Sequence, residues 1–147
     1  MILGSAYGFW IIPQDPTQPR HFVLTPPLKY LSPDVIQYPI ISRMVYTDQK
    51  VPPFNPAGAI LVYQSHLKEY KEDVVERFRN SGIKALVVQM FSEVDAPGYG
   101  ESVIQPPLPA KPPFPVFEIT IGQTRGLAGW FANQTARGVI AMFEEEE

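Results

Sequence analysis

The sequence predicts a strand-rich α/β domain with one right-handed βαβ unit and a few flanking helices, and three observations predict it. A nearly continuous apolar run, Gly58-Ala59-Ile60-Leu61-Val62-Tyr63, has the composition of a strand buried on both faces. A stretch of helical period follows from Leu67 to Ser81. Directly after Gly82 comes a second apolar run, Ile83-Lys84-Ala85-Leu86-Val87-Val88-Gln89-Met90. Strand, helix and strand within about 33 residues make a βαβ unit, whose crossover is right-handed by the twist of its strands.

The elements before this unit are bounded by proline. Pro13-Gln14-Asp15-Pro16-Thr17-Gln18-Pro19 reads as a turn between two short strands, Tyr7-Gly8-Phe9-Trp10-Ile11-Ile12 and His21-Phe22-Val23-Leu24. Pro26-Pro27 closes the second of these, and Ile40 to Tyr46 suits another strand.

In the helix, Leu67, Tyr70, Val74 and Phe78 recur at spacings of three and four and form one apolar stripe. Ser65 is expected to cap its start by accepting from an orphan backbone N–H, and Gly82 to end it in the left-handed conformation. Arg77 and Arg79 fall in the last turn, where positive charge suits the dipole, and Asp73 stands four residues before Arg77.

Beyond the unit, Ser92 to Pro113 reads as a long polar and proline-rich loop. Pro115 to Ile121 alternates as a strand, Gly122 to Asn133 as a short helix with Leu127, Trp130 and Phe131, and Val139 to Phe143 as a closing strand. The domain is read over residues 1–143, with Glu144 to Glu147 as a solvated acidic tail or the start of a linker.

Composition excludes several function classes. The chain has 147 residues and no cysteine, which removes disulfide scaffolds, thiolate metal sites and cysteine nucleophiles. A net charge of -3 without a basic stripe argues against nucleic acid as a partner. No apolar stretch reaches the roughly 18 residues of a membrane span, so direct membrane insertion is not expected. Met1 to Ala6 has no basic segment and an apolar run broken by Gly4 and Ser5, unlike a signal peptide, so a secreted parent would make this a mature fragment. Seventeen prolines without a period point to short turns and extended edges.

The order of the pieces resembles the protease-associated domain. Gly58-Ala59-Ile60-Leu61-Val62, Ser81-Gly82-Ile83-Lys84-Ala85-Leu86-Val87-Val88, Phe114-Pro115-Val116-Phe117-Glu118-Ile119, Gly122 with Leu127, and Gly138-Val139-Ile140-Ala141-Met142 match its pattern in sequence. Ala6-Tyr7-Gly8-Phe9 looks like its early strand. The resemblance implies a β-rich, swivelling β/β/α-type fold without catalysis or cofactor of its own. Such a domain acts as a lid, substrate-selecting surface or protein-binding module of a larger protease, receptor or sorting protein, in an extracellular or endomembrane lumenal setting. Its partners would be a protein, a peptide or the remainder of the parent chain. The family's Arg-Gly-x-Cys element is replaced here by Gln64-Ser65-His66-Leu67, so no ligand or disulfide habit of that element carries over.

Other chemistry is thinly represented. His21 and His66 are the only histidines and lack metal-ligand spacing. Ser65-His66 is placed like the pair of phosphohistidine carrier domains, but without their preceding glycines and following small residues. Gly98-Tyr99-Gly100 lacks the Lys and Ser or Thr of a phosphate loop. The proline pairs suit a stiff spacer, which keeps a structural segment of a receptor ectodomain as the alternative to a binding module. Asn133-Gln134-Thr135 is a glycosylation sequon.

Ligands of open α/β sheets meet the loops beyond the carboxyl ends of the strands. That rule nominates Tyr63, Gln64, Ser65 and His66 after one strand, and Phe91, Tyr99 and Glu101 after the other, as binding residues.

Overall fold

The computed structural model describes residues 2–25, 27–65, 69–89, 110–119 and 136–146. Among them run seven strands: β1 (Ile2–Pro13), β2 (His21–Leu24), β3 (Ile40–Thr47), β4 (Ile60–Gln64), β5 (Ala85–Gln89), β6 (Val116–Glu118) and β7 (Ala136–Glu146). One α-helix, α1 (Lys71–Phe78), and one 3-10 turn, Lys29–Leu31, accompany them in the described residues. The strands form a single mixed sheet in the order β2-β1-β7-β3-β4-β5-β6. β3, β4, β5 and β6 are parallel, whereas β7 is antiparallel to both β3 and β1, and β2 is antiparallel to β1.

The strand-rich α/β class and the central unit stand as the sequence predicts: β4 and β5 are parallel neighbours joined through α1. Their apolar runs are continuous because both faces are buried. Ile60, Val62, Ala85 and Val87 point to an inner core with Phe9, Ile11, Phe117 and Ile140. Leu61, Tyr63, Leu86 and Val88 point to the opposite side, against Val74, Val75 and Phe78 of α1. Gly58 and Gly82 frame the unit, both in the left-handed region at φ 77° and 78°, and the Gly58 N–H donates to the Gly82 carbonyl at 2.8 Å.

The sheet curls until its two edges meet. After β2, the Thr25 hydroxyl donates to the Glu118 carbonyl at 2.6 Å, Pro27 bridges Phe117, and the Leu28 N–H donates to the Val116 carbonyl at 2.7 Å. Ser32 Oγ accepts from the Val116 N–H at 2.8 Å. The backbone of edge strand β6 is thereby satisfied from both sides. On β1, Phe22 lies where a side chain at position 8 would be: a Cβ there would sit 2.6 Å from its Cζ, so glycine permits the close approach of β2. The hairpin turn is held by Asp15, whose carboxylate accepts from the Thr17 N–H at 2.9 Å and the Thr17 hydroxyl at 2.8 Å.

Several boundaries and one pairing differ from expectation, and the helix ends at Phe78 with Arg79 as its C-cap, not at Ser81 before Gly82. The helix begins at Lys71 rather than Leu67, because Tyr70 is extended (φ -80°, ψ 146°) and takes the N-cap position, so Ser65 does not cap it. Arg77 pairs with Glu69, not Asp73, since the buried carboxylate is the stronger anchor. β1 and β7 are longer than predicted and pair from Ile2 with Glu146 to Pro13 with Ala136, so the backbone of Glu144 to Glu146 lies in a strand. The pairing partner, not the side chains, sets that length. The predicted loop from Ser92, as far as residue 109, and the helix around Trp130 lie outside the described residues.

Candidate functional site

At the carboxyl end of β4 the chain turns inward. Tyr63 lies on the helix side of the sheet, and its hydroxyl donates to Glu69 Oε1 at 2.7 Å. The Ser65 hydroxyl donates to the same oxygen at 3.0 Å. Arg77, one-and-a-half turns into α1, donates to Glu69 Oε2 at 2.6 Å and to the Tyr63 hydroxyl at 3.3 Å. Its guanidinium also lies 5.7 Å from the Tyr63 ring centre and 5.8 Å from that of Phe78. Two rings, one carboxylate and one guanidinium thus join the exit of β4 to the helix.

The cluster is electrostatically closed. Burial opposes the charge of Glu69, but hydrogen bonds from Tyr63, Arg77 and Ser65 and the adjacent positive charge outweigh it, and its carboxyl lies below the ordinary value. Burial, followed by the hydrogen bond and charge of Glu69, pushes the Tyr63 hydroxyl up to about 12. Glu69 is therefore ionised and Tyr63 protonated near neutral pH, and neither is poised to exchange a proton there.

Of the nominated residues, Tyr63 and Ser65 are buried, and the hydroxyl of each donates to Glu69. Neither offers a free surface to an outside partner in this arrangement. Gln64 is half-buried and accepts from the Tyr46 hydroxyl at 2.6 Å, while the Ser65 N–H donates to the Gln89 carbonyl at 2.9 Å, tying together the ends of β3, β4 and β5. His66, Phe91, Tyr99, Glu101 and Asn133 lie outside the described residues. The sequence reading did not single out Glu69, and it placed Arg77 only against the helix dipole and Asp73. The signal that could have found the pair is the four-residue step from Ser65 to Glu69, an acid set between the stripe residues Leu67 and Tyr70.

No group of three His, Asp or Glu side chains among the described residues is placed to hold a metal ion. No helix among them is long and apolar enough to cross a membrane.

The class defined by this architecture is a strand-rich α/β domain in which a curled sheet is covered on part of its outer side by one helix. Two solved structures contain the same fold within a longer chain. An aminopeptidase from Aneurinibacillus sp. strain AM-1 superposes with a TM-score of 0.55 at 13% identity, over 96% of this chain and 33% of its own. A peptidase M28 precursor from Shewanella amazonensis SB2B superposes with a TM-score of 0.50 at 7% identity, over 99% of this chain and 35% of its own. The chain thus spans about a third of the length of these peptidases, and at such identities the likeness is one of fold. No family model and no curated protein sequence matches it.

Proposed function

We propose that this chain is a non-catalytic domain of the protease-associated type, which binds proteins or peptides as a lid or substrate-selecting surface of a larger protease. The observation that carries the reading is the superposition of nearly the whole chain on one third of an aminopeptidase. The closed state of the Tyr63–Glu69–Arg77 cluster supports it, because that cluster braces the fold instead of presenting a reactive group. His66 and Tyr99, which follow β4 and β5 in the sequence, are proposed as contacts. An extracellular or lumenal setting accompanies the reading, as does the absence of any cofactor.

The test is made on the purified domain. It is expected to leave aminoacyl p-nitroanilides and model peptides unhydrolysed while retaining a peptide or protein ligand in a binding assay. Turnover that disappears in His66→Ala would overturn the non-catalytic reading. Failure to bind any ligand would favour a spacer.

A further inference from the structure

The helix covers only part of the sheet's outer side. Val45, late in β3, packs with the helix-side core, but the outer side chains of β2, β1 and β7 and of early β3 have no helix among the described residues above them. Phe22 is directly opposite Trp10, Trp10 opposite Val139, and Val139 opposite Ile41. These four form one apolar row across four strands. Trp10, Phe22 and Ile41 remain 37%, 41% and 48% exposed, and the Trp10 and Phe22 rings touch at a centroid distance of 4.9 Å. A contiguous, partly exposed apolar row of this kind suits an interaction surface.

Two residues further along the same strands, on the same side, the next row is Ile12, Arg137 and Arg43. The arginines are direct cross-strand partners and line one concavity with Pro13 and Gln14. Like charges placed opposite each other disfavour the sheet. Arg43 donates only to the uncharged carbonyls of Asn55 and Ala57, at 2.9 and 3.1 Å, and Arg137 has no ion pair among the described residues. The backbone of Glu144 lies seven positions along β7 from Arg137, roughly 23 Å at strand rise. Guanidinium forks match carboxylates in geometry and charge.

We propose that this outer face docks a protein segment from outside the chain that carries aromatic or aliphatic side chains beside Asp or Glu. The apolar side chains cover the Phe22–Trp10–Val139–Ile41 row, and the carboxylates meet Arg137 and Arg43. The proposal rests on the binding-domain reading and adds to it a surface separate from His66 and Tyr99, together with the chemistry of the partner.

The experiment uses the purified 147-residue chain on an unbiased array of dodecapeptides. Captured peptides are expected to be enriched in sequences combining acidic with aromatic or aliphatic residues. Trp10→Ser, Ile41→Ser and Arg137→Glu, each checked for folding by circular dichroism, are expected to weaken a captured peptide at least tenfold. Val51→Ser, at an exposed apolar site elsewhere, is expected to leave it unchanged. Capture that ignores all three variants, or peptides without acidic residues, overturns this surface and leaves the binding reading standing. No capture on the array or by any protein ligand removes both. Two further outcomes also overturn the assigned occupant: binding to phosphatidylserine vesicles lost in Trp10→Ser, or concentration-dependent self-association in sedimentation lost in the same variant.

Discussion

Arg77 Nη2 lies 2.6 Å from Glu69 Oε2, bridging α1 to the segment that leaves β4, and the carboxylate at the centre of this contact is almost fully buried. The pair lies immediately before the helix: Glu69 turns inward, Tyr70 is extended, and helical backbone begins one residue later.

Removing the carboxylate leaves a partly buried guanidinium and a buried phenol without their acceptor. Glu69→Ala is expected to destabilise the domain towards the lower end of the roughly 3–5 kcal/mol typical of a broken buried pair, because Arg77 retains some contact with water. Urea denaturation followed by circular dichroism measures it. A loss below about 0.5 kcal/mol would show that the pair is dispensable.

The same pair sets a pH dependence. The folded Glu69 carboxyl lies below its ordinary value of 4.5, so the unfolded state takes up its proton first as pH falls. The stabilisation is complete above about pH 5 and is lost as pH drops through the folded value. Stability in urea is expected to fall more steeply with acid in the native chain than in Glu69→Gln. Equal slopes between pH 5 and 3 would contradict this.

Tyr63 gives the alkaline counterpart. With its hydroxyl held up to about 12 against an ordinary 10, the unfolded state loses its proton first as pH rises. Stability contributed by the protonated phenol is present below pH 10 and is lost between about 10 and 12. Absorbance at 295 nm is expected to show less titrating phenol in the native chain than in urea near pH 11. Tyr63→Phe is expected to cost about 1.5–3 kcal/mol at pH 7, the range for a hydrogen bond to a charged group.

Ser32 closes the edge of β6 by accepting from the Val116 N–H. Ser32→Ala is expected to leave that amide buried and unsatisfied, at a cost of about 1–3 kcal/mol. Hydrogen exchange at Val116 is expected to accelerate relative to Val87, whose strand has neighbours on both sides.

Gly82 is in the left-handed region, and its carbonyl receives the Gly58 N–H. Gly82→Ala is expected to destabilise by about 1–2 kcal/mol through backbone strain alone, because nearest Ala57 Cβ would be 3.4 Å away and no steric clash adds to it. Thermal denaturation checks the effect, and an unchanged midpoint would exclude such strain.

The sequence by itself determined what depends on neighbours in the chain. The apolar runs from Gly58 to Tyr63 and from Ile83 to Met90 read as strands and contain β4 and β5, the prolines from Pro13 to Pro19 read as a turn, and Gly82 was expected in the left-handed conformation it adopts. Tertiary structure decided what depends on residues far apart in sequence. Nothing local to Glu144 indicates that its backbone pairs with Ser5, and nothing local to Trp10 indicates that Phe22, Val139 and Ile41 share its row. The fate of Tyr63 and Ser65 was decided in the same way. Their place at the carboxyl end of β4 marked them as a surface, but a buried carboxylate needs donors, and folding placed Glu69 between them and Arg77, turning both hydroxyls inward. Local propensity specifies elements, whereas register and the cost of burying unpaired charge specify which side chains are left to meet a partner.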